Sequence, residues 1–233
     1  MITSLCSSLM PEFADLSCDS LTGKTDKPLV VTASGSMGAG IQQRFVEYVK
    51  NGGILLMLPV IPSMGENFEP CTILGDFIGA HSEACGGGGA NVRVGDVRGI
   101  INNDLWTCVR RPDNAVPFAF DERSGAVAGW KAEYPGGGAV VWLGIKWRHD
   151  KLVLNKMMRW LFNLLGVSET AVECDNPYVW AVLRSGGDKR MLFLMNLFSS
   201  PLEAGVRIKE HNSSYTDACR HFLKPMEVKT VVL

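Results

Sequence analysis

The chain has no surplus of charge: 23 Lys and Arg stand against 24 Asp and Glu, for a formal net charge of −1. A nucleic-acid surface needs a basic excess, so nucleic acid is not an expected partner. No apolar run approaches the roughly 20 residues of a membrane-spanning helix, so no membrane partner is expected either. The opening residues, MITSLCSSLMPEF, lack the basic start and long apolar stretch of a secretion signal, and the chain reads as cytoplasmic. The seven cysteines are odd in number, scattered, and never spaced C-x-x-C. That usage fits reduced, mostly buried thiols rather than a disulfide framework. His81, His149, His211 and His221 make no ligand spacing with them, so no metal is expected. No cofactor signature is present.

What is there supports real cores. The chain has 233 residues and is 46% hydrophobic, enough for one ordinary domain and a small second one. Residues 28–62 are the most informative stretch: PLVVTASGSMGAGIQQRFVEYVKNGGILLMLPVIP. Residues 29–32 form a short β-branched run that suits a strand buried on both faces. Ser34, Gly35 and Ser36 are turn and helix N-cap types. Ile41, Phe45, Tyr48 and Val49 then form one helical stripe, with Gln42, Arg44, Glu47 and Lys50 on the other face. Asn51-Gly52-Gly53 supplies a left-handed helix stop, and residues 54–58 form a second buried strand that ends at prolines. The unit is βαβ.

Around it, residues 3–10 read as the tail of a helix and 13–16 as a short strand. Residues 72–78 read as a helix with Ile73, Phe77 and Ile78 inward, and the run GGGGAN at 86–91 as a flexible connection. Residues 91–100 alternate like a strand pair around Gly95, and 115–120, 125–134 and 139–145 read as strands. Residues 152–165 form a helix that crowds Leu154, Met157, Met158, Leu161, Phe162 and Leu165 on one face, with Gly166 as its cap. Beyond it, 178–184 and 190–197 read as a hairpin, followed by strands at 205–209 and 227–233. The apolar runs of the first block suggest a mostly parallel sheet.

The turn after the first strand is where such folds keep their chemistry. A nucleophile elbow needs G-x-S-x-G, but here the window is Ser34-Gly35-Ser36-Met37-Gly38. A catalytic Ser36 would need His149, the one histidine at a plausible strand end; a plain helix cap is the simpler role. A dinucleotide loop fails at Met37, and no Walker lysine is present. Glu66, Glu69 and Asp76, and separately Asp121-Glu122, could serve as paired carboxylates or simply be solvated. Trp147-Arg148-His149-Asp150 follows a strand at its C-terminal end. Trp147 and Arg148 could stack on and bind a sugar, or the segment could cap the next helix through Asp150.

The helix carrying Gln43, Val46, Tyr48, Val49, Gly52 and Gly53, followed by an apolar strand ending at Pro59, resembles the glutamine amidotransferase-like domain of bacterial β-galactosidases in glycoside hydrolase families 42 and 35. The next helix, EPCTILGDFIG, the late strand GGGAVVWLG and the tail from Tyr178, with its KPMEV strand, are similar in the same order. The resemblance implies a flavodoxin-like α/β domain over 1–168, mostly parallel with helices on both faces, and a small antiparallel β-sandwich-like domain over 171–233. Relatives carry a strand and helix before the residues matching Phe13, so the resemblance implies either an N-terminally truncated piece of a larger glycosidase or a sheet rearranged around the loss. Catalysis in that family belongs to a separate (β/α)8 barrel of roughly 250 residues or more, which this chain has no room for. The amidotransferase nucleophile and His-Glu pair have no matching positions here.

The expectation is therefore a non-catalytic C-terminal region of a β-galactosidase-like hydrolase, serving subunit assembly or shaping a carbohydrate site. Its expected partners are further copies of itself, the rest of a glycosidase chain, or a carbohydrate. The alternatives are a small stand-alone hydrolase using Ser36 and His149, or a carbohydrate-binding module using Trp106, Trp130 or Trp147.

Overall fold

The computed structural model describes residues 13–16, 21, 27–85, 89–101, 105–146, 152–167, 171–186, 189–209, 215–216 and 219–233. The helix tail expected at 3–10, together with Trp147, Arg148, His149 and His211, lies outside them. Residues Ala14–Arg148 and His149–Leu233 fall into two compact units.

In the first unit, β1 (Leu29–Ala33), α1 (Ala39–Lys50) and β2 (Ile54–Pro59) form the expected βαβ unit. Phe45, Val46, Tyr48 and Val49 of α1 are buried, each contributing roughly 1.5–3 kcal/mol by leaving water. Gly52, at φ 92°, supplies the left-handed residue after the helix. Two details differ from expectation. Gln42, assigned to the outer face, is fully buried. Val30 is 46% exposed, because β1 is the edge of the sheet among the described residues and only one of its faces packs on the core.

The remaining elements are α2 (Ile73–Ile78), β3 (His81–Cys85), β4 (Ala90–Val94), β5 (Val97–Ile101), β6 (Leu105–Arg110), β7 (Val116–Asp121), β8 (Val127–Glu133) and β9 (Ala139–Leu143). The main sheet runs β1-β2-β9-β8-β7-β4-β5. β1, β2 and β9 pair in parallel. From β9 onward every pairing is antiparallel. The mostly parallel sheet of the sequence reading is therefore a mixed one, whose parallel part is β1-β2-β9. β3 and β6 make a separate two-stranded ribbon. Residues 13–16 form no strand, and Phe13 lies exposed. In α2 the inward residue is Leu74 rather than Ile73, because the helix opens at Ile73 and its buried stripe is Leu74 and Ile78.

β2 and β9 are the most buried strands of the sheet, and β9 is buried at every position. Trp142 on β9 donates its indole N–H to Pro59 O at 3.1 Å. Trp130 on β8 lies against it, with ring centroids 6.3 Å apart. The turn before β9 presses on the end of α1. A Cβ at Gly138 would stand 1.9 Å from Val49 O, so only glycine fits there.

The second unit holds α3 (Leu152–Leu164) and the strands β10 (Val172–Cys174), β11 (Val179–Gly186), β12 (Lys189–Asn196), β13 (Leu202–Ile208), β14 (Cys219–Leu223) and β15 (Val228–Val232). Leu154, Met157, Met158, Leu161, Phe162 and Leu165 are all buried, as the periodicity predicts. Gly166 follows at φ 72°. Two three-stranded antiparallel sheets, β10-β13-β14 and β11-β12-β15, form a sandwich. Val172, Val179, Ala181, Leu192, Leu194 and Val206 are among the side chains that fill it.

Candidate functional site

Parallel strands release their loops at their C-terminal ends, and ligands of α/β folds gather there. Here those loops are 34–38 after β1, 60–71 after β2 and, among the described residues, 144–146 after β9. The first two are joined to each other. Ser36 and Met64 form a parallel bridge. Met37 N–H donates to Met64 O at 2.8 Å, and the Ser63 and Met64 N–H groups both donate to Gly35 O at 3.1 Å. The second loop folds back on itself through Gly65 N–H to Glu69 O at 2.8 Å and Cys71 N–H to Ser63 O at 3.0 Å.

Gln42 holds this arrangement from below. Its Nε2 donates to Met37 O at 2.8 Å and to Cys71 O at 3.2 Å. Its Oε1 accepts from the Leu74 N–H at 3.1 Å. One buried carboxamide thus satisfies three main-chain groups on both loops and on α2, which is why a polar residue can be wholly enclosed here.

Ser36 is half-buried. Its carbonyl accepts the Ser34 hydroxyl at 2.8 Å, and its main chain serves the bridge to Met64. It is not the N-cap of α1. That position is Gly38, with no side-chain cap. The bridge holds Ser36 in extended backbone before the helix begins. Glu66 stands over Gly38 instead, its carboxylate at the positive end of the helix; a Cβ on Gly38 would lie 2.2 Å from Glu66 Oε1.

The carboxylates have local duties. Glu69 Oε2 accepts from the Asn67 N–H at 2.9 Å. Asp76 Oδ2 accepts from the Thr72 hydroxyl at 2.7 Å. Asp121 caps a turn, accepting from the Ser124 hydroxyl at 2.5 Å and from the Arg123 N–H at 3.2 Å. Partial burial alone would raise its pKa, but these hydrogen bonds outweigh it and hold the carboxyl below its ordinary value. Glu122 pairs with Arg98 at 3.0 Å. Among the described residues, no group of three or more His, Cys, Asp or Glu is placed to hold a metal ion.

The aromatic candidates separate. Trp130 is wholly buried, so its ring has no face for a sugar, which corrects the binding role considered for it. Trp106 is half-buried on β6 and packs on the core of the first unit. Trp147, Arg148 and His149 lie outside the described residues.

Two features escaped the sequence reading. Phe68, at the tip of the 65–69 loop, holds a left-handed backbone at φ 62° and is 72% exposed. A groove of about 260 Å³ lies on the outer face of β11-β12-β15, lined by Trp180, Val182, Arg184, Phe193, Met195 and Val228. The signal for the groove was legible in principle: β11 and β12 are apolar at both parities, more than one buried face requires.

The family model described as "GLMA-like, second domain" matches residues 12–113. Exo-beta-D-glucosaminidases of Pyrococcus horikoshii and Thermococcus kodakarensis are each 43% identical over 47 residues, which is 20% of this chain and 6% of each relative. Among solved structures, a beta-galactosidase from Rahnella sp. R3 superposes with TM-score 0.71 at 13% identity, covering 99% of this chain and 35% of that one. A catalytic mutant of Gan42B, a GH42 beta-galactosidase from G. stearothermophilus, superposes with TM-score 0.63 at 16% identity, covering 88% of this chain and 31% of that one. At such identities the likeness is one of fold. The fold of this chain is thus one found within beta-galactosidase chains, and this chain spans about a third of their length.

Proposed function

We propose that this chain is a non-catalytic region of a β-galactosidase-like glycoside hydrolase, serving subunit assembly or the shaping of a carbohydrate site. One observation carries the reading: 99% of this chain is matched by only 35% of a beta-galactosidase chain. The chain thus corresponds to a minor part of a glycosidase, in keeping with catalysis on a separate barrel. The loops at the C-terminal end of β1 and β2 support it, because their main-chain groups are spent on one another. The glutamine amidotransferase-like identity of the α/β unit, self-association and a carbohydrate partner are parts of the same proposal.

The test is direct. Purified chain is assayed against nitrophenyl β-galactoside, nitrophenyl β-glucosaminide and a nitrophenyl ester. The expected result is no turnover above buffer with any of them. Hydrolysis that Ser36→Ala abolishes would overturn the proposal in favour of a stand-alone hydrolase.

A further inference from the structure

β15 has one neighbouring strand among the described residues, β12. The Leu233 N–H donates to Arg190 O at 3.0 Å, and the Asn196 N–H to Glu227 O at 2.9 Å. These bonds bracket the ladder. Alternation along an antiparallel pair then turns the main-chain groups of Lys229 and Val231 toward β12, and those of Val228, Thr230 and Val232 away from it. Among the described residues, no strand takes up those outward groups.

Of the usual protections of a free edge, this strand has its shortness and one charge, Lys229. The strand VKTVV has no proline or glycine, and its pairing with β12 has no bulge. Val228 and Val232 are 56% and 70% exposed. Val228 is also a wall of the apolar groove that Trp180, Phe193 and Met195 line. Free hydrogen-bonding edge and apolar groove are therefore one continuous surface. An extended segment is the shape that satisfies both, with main-chain pairing along β15 and a side chain leaning over Val228.

Charge decides what kind of segment. The three strands carry Arg184, Lys189, Arg190 and Lys229 and no carboxylate, and Glu227, just before β15, spends its carboxylate on the Lys224 N–H of the preceding turn. A second copy paired along β15 would bring one cationic sheet beside another. Centred on Thr230, it would set Lys229 diagonal to its own counterpart, about 7–8 Å away and within reach of a long side chain, so the two cations would repel. An acidic segment meets the same cations favourably.

We propose that β15 is a strand-addition site for an extended acidic segment of a partner polypeptide, with a carboxylate opposite Lys229 and a bulky apolar side chain over Val228. The site lies in the second unit and is independent of the glycosidase reading.

The experiment uses the full chain, isotope-labelled, and a capped synthetic peptide of sequence Glu-Val-Glu-Phe-Glu-Val-Glu. Binding should shift the amide signals of Val228, Thr230 and Val232 and weaken several-fold between about 50 and about 300 mM salt. Thr230→Pro removes an outward N–H and no bond to β12, so it should weaken binding at least about 10-fold with the urea midpoint little changed. Lys229→Glu, which leaves the edge intact, should weaken it several-fold. No binding at about 1 mM peptide would overturn the proposal. So would equal binding of the same peptide with Lys in place of Glu, or variants that bind as the parent does. Self-association of the chain that Thr230→Pro abolishes would assign the edge to a second copy instead.

Discussion

The Gln42 carboxamide accepts a hydrogen bond from the Leu74 N–H at 3.1 Å, fastening α1 to α2 across 32 positions of sequence. Both residues are fully buried. Gln42→Leu keeps the volume but leaves the Leu74 N–H and the Met37 and Cys71 carbonyls without this partner. An unsatisfied buried group costs about 1–3 kcal/mol, and we expect a loss of about 2–4 kcal/mol in urea denaturation. An unchanged midpoint would remove Gln42 from its structural role.

Phe68 holds φ 62°, a conformation that costs a residue with a side chain about 1–2 kcal/mol and glycine little. Phe68→Gly should be neutral to stabilising by about 1 kcal/mol, after allowing for the freer unfolded chain. Phe68→Val should be destabilising, because a β-branched residue fits left-handed backbone worst. Thermal unfolding of the two variants should therefore bracket the parent; the reverse order would contradict the assigned backbone.

The glycines of the turn before β9 are not equivalent. At Gly138 a Cβ would meet Val49 O at 1.9 Å, and main chain cannot swing aside. At Gly137 nothing lies within 4 Å, although φ is +85°. Gly138→Ala should cost more than about 3 kcal/mol and deplete soluble protein, while Gly137→Ala should cost about 1–2 kcal/mol. Soluble yield and melting temperature read the difference.

His221 on β14 titrates below its ordinary value, because burial disfavours the imidazolium and Lys229 adds repulsion. The unfolded chain, with an ordinary imidazole near pKa 6.5, then binds the proton more readily than the folded one. This contribution to stability is present above about pH 6.5 and is lost as pH falls toward the lower folded value. His221→Gln should flatten that part of the curve between about pH 7 and about pH 5.5, measured as urea midpoint against pH. A His221→Gln profile parallel to the parent would refute the assignment.

The βαβ unit, the strand pair around Gly95, the β9 run and α3 were legible because each has an apolar period that only one element satisfies. β3, β6, β10 and β14 were not. HSEAC, LWTCVR, VEC and CRHFL have no clean alternation, and they become strands because their partners supply the ladder. The site was harder still. Gln42 looks like a surface residue in sequence, since its neighbours Gln43 and Arg44 are exposed. Only Met37, Cys71 and Leu74, brought to it by folding, make its burial tolerable.

Residue order alone set the secondary elements that carry their own period, the glycine stops, and the departure of the turn after β1 from the nucleophile-elbow, dinucleotide and Walker patterns. Those are local properties, set by side-chain spacing and backbone freedom. Tertiary structure decided that the sheet turns antiparallel beyond β9, that Ser36 bridges Met64 instead of capping α1, and that β15, among the described residues, keeps a free edge beside an apolar groove. Strand direction, register and edge position depend on which distant segment arrives alongside, and residue spacing within one segment holds no record of that.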